Sequence, residues 1–357
     1  MTQCDESQSS QSISSDAAVA LDSDNILEVR DLSVEFRSET GANSALKGVS
    51  FDVARGQVTA IIGESGSGKS VTASAVMRLI QPPGNITGGS IRFAPAGIES
   101  YDVLQLTEKD ARLRQLRGDL ISMVFQEPMT ALAPVYTVGN QVAEAILCHR
   151  DVTKQAAWQE AEAMLQRVGI SDLALRMQQY PFEFSGGMRQ RVVIAMALVC
   201  HPELLICDEP TTALDVTIQA EILTLIRDLK AQLNNTVLFI THDIGVVAQL
   251  ADRVVVMNRG RVLETGSVRQ VLKNPLHPYT KGLMAAIPGL ASKGQRLETV
   301  ASVVGDADIE TAYPLTTLSD GRQVSLSPDL LAPDLLAPDL LAPDLLAPEQ
   351  LETLDNE

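Results

Sequence analysis

The chain has 357 residues, enough for two domains or one large domain, and 45% of them are apolar. Only 4% are aromatic, which favours an aliphatic α/β interior over an aromatic-rich β-sandwich. The net charge of -17 lies at the ends: residues 1–26 carry five acidic residues and no base, and residues 298–357 carry thirteen acidic residues and one base, Arg322. The balanced middle lacks the basic face that nucleic-acid binding requires.

The sequence predicts neither a secretory signal nor a membrane span. The N-terminus has no basic stretch followed by an apolar one, and the longest apolar run, 192–200, is far short of the ~20 residues that cross a bilayer. The cysteines form no CxxC pair, and we expect free thiols in a reducing compartment rather than disulfides or a metal site. They are Cys4, Cys148, Cys200 and Cys207.

The N-terminal third begins with a tail. Residues 1–25 are rich in serine, glutamine and aspartate and hold few apolar residues, so we expect them to be disordered. Alternating apolar and polar residues over 26–37 indicate strands. A buried strand is predicted over 58–62. A glycine-rich turn follows it, and then a helix over about 69–80 that ends at a Pro-Pro-Gly sequence.

Strands and helices alternate along the rest of the middle region. Residues 87–126 favour strands with a polar insert, whereas residues 139–200 have the 3.6-residue spacing of helices. The elements predicted after them are a strand over 204–207, a helix over 216–233, a strand over 236–241 and a hairpin-like pair over 253–257 and 261–264. The alternation indicates a largely parallel, covered sheet in a folded domain over 26–290, with a helical subdomain over about 127–200.

Residues 291–357 are predicted to be an extension outside the folded domain. Residues 290–326 are weakly patterned, and residues 328–348 repeat Pro-Asp-Leu-Leu-Ala. A proline every fifth residue forbids a continuous helix, and this period places the leucines on no common helical face. The repeats therefore indicate a low-complexity tail, with a multivalent docking array as the alternative. We expect the chain after Arg322 to contribute nothing to the core.

The strongest chemical signal is a GxxxxGK[ST] motif between the predicted strand over 58–62 and the helix that follows. Its residues are Gly63, Glu64, Ser65, Gly66, Ser67, Gly68, Lys69 and Ser70. The glycines let backbone N–H groups turn towards phosphate oxygens, and the helix adds the positive end of its dipole. We expect Lys69 to bind the β- and γ-phosphates and Ser70 to bind Mg²⁺. The alternative is a Gly/Ser-rich turn that matches by chance.

A second motif follows the apolar strand over 204–207, which ends in Asp208 and Glu209. Folds of the α/β class place ligands at the carboxyl ends of their strands. We expect Asp208 to hold Mg²⁺ through water and Glu209 to polarise the attacking water. Both acids could instead cap a helix, but the phosphate-loop motif favours the catalytic interpretation.

A third motif opens a predicted helix, where a serine hydroxyl and glycine N–H groups can form a second anion site. It consists of Phe184, Ser185, Gly186, Gly187, Met188, Arg189, Gln190 and Arg191. The motif resembles the signature sequence of ATP-binding cassette (ABC) transporter ATPases, which commonly has leucine where this chain has Phe184. The alternative is a plain helix cap followed by glycines.

Other residues fall in the order of the ABC family. Gln126, which directly follows the predicted strand over 121–125, resembles the glutamine that links the metal and water to the membrane partner. Asp215 lies in a stretch that resembles the D-loop at the dimer interface, and His242 resembles the switch histidine that contacts the γ-phosphate. Phe36 lies where the family stacks an aromatic ring on adenine, although a core phenylalanine would fit there as well. No NKxD motif is present, which favours ATP over GTP.

Three segments resemble the oligopeptide/dipeptide/nickel importer branch of the family. They are Phe125-Gln126-Glu127-Pro128-Met129-Thr130, Ser185-Gly186-Gly187-Met188-Arg189-Gln190-Arg191 and Asn274-Pro275-Leu276-His277-Pro278-Tyr279-Thr280. The chain departs from that branch at residues 131–134, where members often have a Ser-Leu-Asn-Pro-like stretch, so the docking surface for the membrane partner differs. Many members also hold an iron–sulfur cluster in a Cys-rich C-terminal segment. No cysteine follows Cys207 here, and we expect no cluster.

The resemblance covers residues 26–290. It implies a P-loop NTPase (RecA-like) core, an antiparallel β subdomain and an α-helical subdomain with the signature, between disordered N- and C-terminal tails. It also implies two facing cassettes, copies or paralogues, in which Ser185, Gly186 and Gly187 of one bind the ATP of the other in trans. ATP hydrolysis would drive two transmembrane permease subunits, supplied by an extracytoplasmic solute-binding protein, to import peptides or similar solutes.

The resemblance places the chain peripherally on the cytoplasmic face of the inner membrane. One alternative function is a soluble ABC ATPase that acts on ribosomes or DNA, but such proteins typically have two cassettes or a long coiled-coil insert. Another is a catalytically inactive regulatory cassette, which is opposed by the intact Lys69, Asp208, Glu209 and His242. The sequence leaves open which solute is carried and what the C-terminal repeats do.

Overall fold

The structure is a computed structural model that describes residues 24–38, 41–126, 131–212, 214–286 and 313–327. The Pro-Asp-Leu-Leu-Ala repeats and all but the last two residues of the predicted N-terminal tail lie outside the described residues. In chain order, the strands are β1 (Asn25–Ser38), β2 (Gly41–Ala54), β3 (Val58–Ile62), β4 (Gly84–Phe93), β5 (Tyr101–Asp102), β6 (Ile121–Val124), β7 (Leu204–Asp208), β8 (Thr236–Thr241), β9 (Arg253–Asn258), β10 (Arg261–Ser267), β11 (Thr316–Thr317) and β12 (Gln323–Val324). The helices are α1 (Lys69–Val76), α2 (Ala111–Leu116), α3 (Val138–His149), α4 (Lys154–Arg167), α5 (Leu173–Arg176), α6 (Gly186–Leu198), α7 (Val216–Leu233), α8 (Ile244–Leu250), α9 (Val268–Lys273) and α10 (Pro278–Ala285).

The larger sheet has the strand order β11-β12-β10-β9-β3-β8-β7-β6. Its strands β9, β3, β8, β7 and β6 are parallel, and the strands beyond β9 are antiparallel. Every residue of β3, β7 and β8 is buried, as in parallel sheets that are covered on both faces. Because parallel strands run the same way, the loops that follow β3, β6, β7 and β8 meet at one edge of the sheet.

An antiparallel sheet with the order β2-β1-β4-β5 packs on the larger sheet. Residues such as Val29 and Phe51, which pair across β1 and β2, share a buried cluster with Ile61 and Met257 of the larger sheet. The strands predicted over 26–37 are observed as β1. The pattern did not predict β2, because the first half of this strand is polar and largely exposed.

A helical layer covers the other side of the larger sheet. Val142 of α3, Leu165 of α4 and Val193 of α6 pack in one buried cluster with Leu205 and Phe239 of the sheet. This layer corresponds to the predicted helical subdomain, and the predicted fold class is confirmed. Among the described helices, none combines the length and the hydrophobicity that crossing a bilayer requires.

The helix predicted over 69–80 is shorter than expected. It ends at Val76, and Arg78 adopts a left-handed backbone conformation with φ of 55°. The Arg78 guanidinium donates hydrogen bonds to the carbonyls of Val103 and Leu104, at 3.0 and 2.9 Å. These tertiary contacts lie in a segment distant in sequence, so the local pattern could not indicate where the helix ends.

A C-terminal hairpin corrects one expectation. Strand β12 pairs with β10 so that Val324 lies opposite Glu264, and Val324, Leu326 and Leu276 form a small buried apolar cluster. The expectation that the chain after Arg322 adds nothing to the core is therefore wrong. Strands of two residues are too short to produce a period-two pattern, and this hairpin depends on the edge of the larger sheet.

Candidate active site

The loop after β3 is shaped by glycines that no other residue could replace without movement. Gly63 has a φ of 152°, and a Cβ atom there would collide with the carbonyl oxygen of Met257 on β9. Gly68 has a φ of 104°, and a Cβ atom there would lie 2.7 Å from the Leu46 side chain. The loop is therefore wedged between β9 and β2, and it leads directly into α1.

Lys69 is the first residue of α1, and only 4% of it is exposed. Its Nζ donates hydrogen bonds to the carbonyls of Gly63 and Glu64, at 2.8 and 2.9 Å, and lies 3.9 Å from Glu209 Oε1. Burial lowers the pKa of Lys69, while the charges of Glu209 and Asp208 oppose that change. The loop thus holds a desolvated ammonium group at its centre.

Ser70 and Asp208 bring two oxygen atoms together beside this ammonium. The Ser70 hydroxyl donates a hydrogen bond to Asp208 Oδ1 at 2.9 Å, and Asp208 is 5% exposed. Burial raises the pKa of Asp208, and the hydrogen bond from Ser70 acts in the opposite direction. A hydroxyl and a carboxylate are hard oxygen donors of the kind that Mg²⁺ binds.

Two hydrogen bonds and one close contact surround the Glu209 carboxylate. Gln126 Nε2 donates to Glu209 Oε2 at 3.2 Å, and the Thr212 hydroxyl donates to the same oxygen at 2.9 Å. His242 Nδ1 lies 3.3 Å from Glu209 Oε1. Glu209 also has a φ of 44°, which is uncommon for a residue other than glycine, and its backbone N–H is bonded to Ile240. The fold therefore keeps this carboxylate in a strained position, as functional sites often do.

Most of these groups line one open cleft of about 520 Å³ at the carboxyl edge of the larger sheet, whereas Asp208 and Thr212 are not part of its lining. The sequence-predicted residues that line it are Gly63, Glu64, Ser65, Gly66, Gly68, Lys69, Ser70, Gln126, Glu209 and His242. Ser67 is 2% exposed, and its hydroxyl has no hydrogen-bond partner among the described residues. An orphaned hydroxyl inside the loop fits a site that is completed by a polar ligand.

Four neighbours of the cleft were not predicted as site residues. Ala45, Val71 and Leu283 line it, and the hydroxyl of Tyr279 accepts a hydrogen bond from the Glu64 N–H at 3.1 Å. Nothing in the local sequence marks Ala45 or Leu283. Tyr279 lies in the segment 274–280, which resembles the importer branch. That resemblance is the signal in the sequence that marks Tyr279 as a candidate site residue.

The signature residues do not line this cleft. Ser185 caps α6 by accepting a hydrogen bond from the Met188 N–H at 3.3 Å, and Ser185 and Gly186 are exposed. A Cβ atom on Gly187 would lie 2.8 Å from the Ile218 side chain of α7. The signature helix and α7 therefore start side by side, at an exposed surface that is not part of the cleft lining.

Asp215 and Phe36 also lie outside the cleft lining. Asp215 is exposed and caps α7 by accepting a hydrogen bond from the Ile218 N–H at 3.1 Å. Phe36 is half-buried on β1, opposite Gly84 of β4, and a Cβ atom on Gly84 would lie 2.6 Å from its ring. The assignment of Phe36 to adenine stacking stays a prediction.

The chain matches two family models. The model described as ABC transporter matches residues 46–212, and the model of the oligopeptide/dipeptide transporter C-terminal region matches residues 263–310. The second match favours an importer over an ATPase that acts on ribosomes or DNA.

Individual relatives and solved structures agree with these models. The oligopeptide transport ATP-binding protein OppD of Bacillus subtilis (strain 168) is 50% identical over 271 residues, which cover 76% of this chain and 74% of the relative. The dipeptide transport ATP-binding protein DppD of the same organism is 49% identical over 276 residues, 77% of this chain and 80% of the relative. A dimeric post-hydrolysis state of the ATP-binding cassette MJ0796, bound to ADP and Pi, is similar with a TM-score of 0.59 and 26% identity, over 68% of this chain and 99% of that one. The chain therefore belongs to the ABC transporter family, in its oligopeptide/dipeptide transporter branch, as an ATP-hydrolysing subunit of an importer.

Proposed function

We propose that the cleft binds and hydrolyses ATP with Mg²⁺, and that this reaction drives uptake of peptides or a similar small solute. The observation that carries the proposal is the meeting of Lys69, Asp208, Glu209 and His242, which come from three separate segments, at one edge of the sheet. Relatives named for oligopeptide and dipeptide transport support peptides as the solute class.

Phosphate binding begins with the loop over 63–70. Its backbone N–H groups and the N-terminus of α1 provide partial positive charge for phosphate oxygens. Lys69 Nζ is bonded to two backbone carbonyls, and a phosphate oxygen is a stronger acceptor for an ammonium than a neutral carbonyl. An ammonium has three N–H donors and only two are used here, so Lys69 can keep the Gly63 carbonyl and direct its other donors to the β- and γ-phosphates when ATP enters.

The metal-binding residues are Ser70, Asp208 and Gln126. The first two already have oxygen atoms 2.9 Å apart, and Gln126 reaches the same end of the cleft, where its amide contacts Glu209. This set of oxygen donors fits Mg²⁺, which prefers such ligands. When bound, Mg²⁺ neutralises charge on the β- and γ-phosphate oxygens.

Glu209 acts as the general base that takes a proton from the attacking water. Its carboxylate is held by Gln126, Thr212 and His242, so that it is oriented before ATP arrives. The side chain of His242 is 57% exposed, which leaves it free to turn to the γ-phosphate. The charge that develops on the phosphoryl group is then met by Lys69 and His242.

Completion of the site requires a second cassette, a copy or a paralogue. The signature residues Ser185, Gly186 and Gly187 do not line the cleft of their own chain, and in this proposal they bind the ATP of the partner, with Asp215 at the same interface. The dimeric cassette with ADP and Pi supports this arrangement. Two transmembrane permease subunits, fed by a solute-binding protein, complete the importer, with this chain on the cytoplasmic face of the membrane.

A lysine substitution tests the proposal. Lys69→Ala should abolish ATP hydrolysis by the full-length chain and uptake of labelled peptides by cells that also produce the permease subunits, because the phosphate charge loses its cation. Lys154→Ala is the matched control, since Lys154 is an exposed lysine at the start of α4. Hydrolysis that survives Lys69→Ala would show that this cleft is not the ATP site. Hydrolysis without uptake of any dipeptide or oligopeptide would leave the ATPase assignment and reject the solute class.

A further inference from the structure

We propose that Tyr279 is a positioning residue for the phosphate-binding loop: its hydroxyl holds the peptide group between Gly63 and Glu64 in the orientation that places the Lys69 ammonium. The proposal rests on the proposed function of the loop and extends it to α10. Tyr279 lies 215 residues after Glu64 in the chain, and its side chain is fully buried.

One peptide group makes both contacts. Its N–H belongs to Glu64 and donates to the Tyr279 hydroxyl at 3.1 Å, and its carbonyl belongs to Gly63 and accepts from Lys69 Nζ at 2.8 Å. In a planar trans peptide the N–H and the C=O point in opposite directions. A single orientation therefore satisfies Tyr279 on one side and Lys69 on the other, and a rotation of the peptide plane would break both hydrogen bonds.

Gly63 makes such a rotation possible, because glycine has wide backbone freedom. The other backbone N–H groups of the loop bind phosphate in the proposed function, whereas the Glu64 N–H is already bonded to the Tyr279 hydroxyl. Burial raises the pKa of the Tyr279 hydroxyl to about 12, so the group stays neutral and does not repel a bound anion. Tyr279 thus selects one loop conformation without adding charge to the cleft.

The position of Tyr279 is itself fixed by buried contacts at the start of α10. Glu264 Oε1 and Oε2 accept hydrogen bonds from the backbone N–H groups of Leu276 and His277, at 3.0 Å each. His277 Nδ1 then accepts from the Tyr279 N–H at 3.0 Å and caps the helix. Glu264 is fully buried on β10, so the helix start is tied to the larger sheet rather than to a surface loop.

The C-terminal hairpin adds a further contact to the same segment. The Arg322 guanidinium donates a hydrogen bond to the Asn274 carbonyl at 2.9 Å, and Arg322 is 6% exposed. A continuous set of contacts therefore leads from the hairpin through the segment 274–280 to the phosphate loop. Tyr279 is the member that touches the loop.

The test is the affinity of the full-length chain for ADP in the presence of Mg²⁺, measured by titration calorimetry together with the melting temperature. Tyr279→Phe keeps the ring and removes only the hydroxyl. The freed peptide group then populates other orientations, and binding requires the original one, so the Kd for ADP should rise about tenfold. Met284→Ala is the matched control, because Met284 is a buried residue of the same helix. It should lower the melting temperature without changing the Kd.

Three comparisons separate the outcomes. If Lys69→Ala binds ADP as tightly as the wild type, the proposed function of the loop is wrong. If Lys69→Ala loses binding but Tyr279→Phe has the wild-type Kd, the positioning role of Tyr279 is overturned while the proposed function stands. If Met284→Ala raises the Kd as much as Tyr279→Phe does, the effect belongs to the packing of α10, and the proposal also fails.

Discussion

The cleft and the C-terminal region, which we define as β10 to α10 with residues 313–327, both bury charged side chains. In the cleft, Lys69 is bonded to two neutral carbonyls, and Glu209 is held by neutral or exposed donors. In the C-terminal region, the buried Glu264 carboxylate is bonded to two backbone N–H groups, and Arg322 is bonded to Asp320 and to a backbone carbonyl.

The two regions differ in whether a ligand can replace the partners of the charged groups. The charges of the cleft have weak partners that a phosphate or a water can replace. The charges of the C-terminal region are bonded to backbone groups that cannot leave without unfolding the segment, and a buried carboxylate that loses its partners is costly. Substitutions in the cleft should therefore change chemistry and leave stability nearly unchanged, whereas substitutions in the C-terminal region should change stability first.

The contrast between the two regions would be wrong if the Glu209 carboxylate were needed for folding rather than for hydrolysis. Glu209→Gln should retain ATP binding and lower hydrolysis by about 10²–10⁴-fold, because an amide cannot take the proton from water. The melting temperature should change little, and ATP should trap a cassette dimer that size-exclusion chromatography detects. Glu99→Gln, an exposed residue between β4 and β5, is the control. Hydrolysis at the wild-type rate would place the general base elsewhere.

Two truncations test the expected contribution of the C-terminal region to stability. A chain that ends after Ser327 keeps the hairpin, whereas a chain that ends after Arg322 loses the buried Val324 and Leu326. Burial of each side chain contributes about 1.5–3 kcal/mol, so the shorter chain should lose about 3–6 kcal/mol in free energy of unfolding. Denaturant unfolding of both chains measures this. Equal stability of the two would mean that the hairpin does not hold this position in solution.

His277 makes the C-terminal region sensitive to acid. Burial lowers the pKa of His277 to about 4 from the ordinary 6.5, so above pH 6.5 the imidazole is neutral in both states and adds no pH dependence. As the pH falls from 6.5 to 4, the unfolded chain binds a proton that the folded chain does not. The free energy of unfolding should therefore decrease by about 3 kcal/mol over this range.

His277→Asn isolates this contribution. Asparagine can still cap α10 but does not titrate, so between pH 7.5 and 5 its stability should fall by about 2 kcal/mol less than that of the wild type. Burial raises the pKa of Glu264 and acts in the opposite direction, but it is present in both proteins and cancels. Unfolding at the two pH values gives the measurement. Parallel losses in both proteins would show that His277 is protonated in the folded state.

Substitutions at two helix caps have the smallest expected effect on stability. Asp215 caps α7 and Thr153 caps α4 in the same way, through a side-chain oxygen and a backbone N–H. Replacement of either by alanine should cost about 1 kcal/mol in free energy of unfolding. Only Asp215→Ala should also weaken ATP-dependent dimerisation, since only Asp215 is proposed to lie at the dimer interface. A similar dimer defect in Thr153→Ala would remove the basis for that assignment.

The sequence alone determined the elements of the cleft whose chemistry is local. The phosphate loop, the carboxylates at the end of β7 and, outside the cleft, the signature serine each depend on residue types at fixed short spacings, because a glycine-rich turn, a strand end and a helix cap form within a few residues. The buried strands β3, β7 and β8 were also predicted, because a continuous apolar run between turn residues indicates a covered strand.

Only the tertiary structure decided which distant residues those elements contact. The contact of Gln126, Thr212 and His242 with Glu209 requires the order of the parallel strands, and the bond between Tyr279 and Glu64 joins segments more than two hundred residues apart. The C-terminal hairpin is stable only because β10 offers an edge and Leu276 an apolar surface. Contacts of this kind leave no periodic pattern in either partner, since their free energy comes from burial and hydrogen bonding between distant residues rather than from local conformational preference.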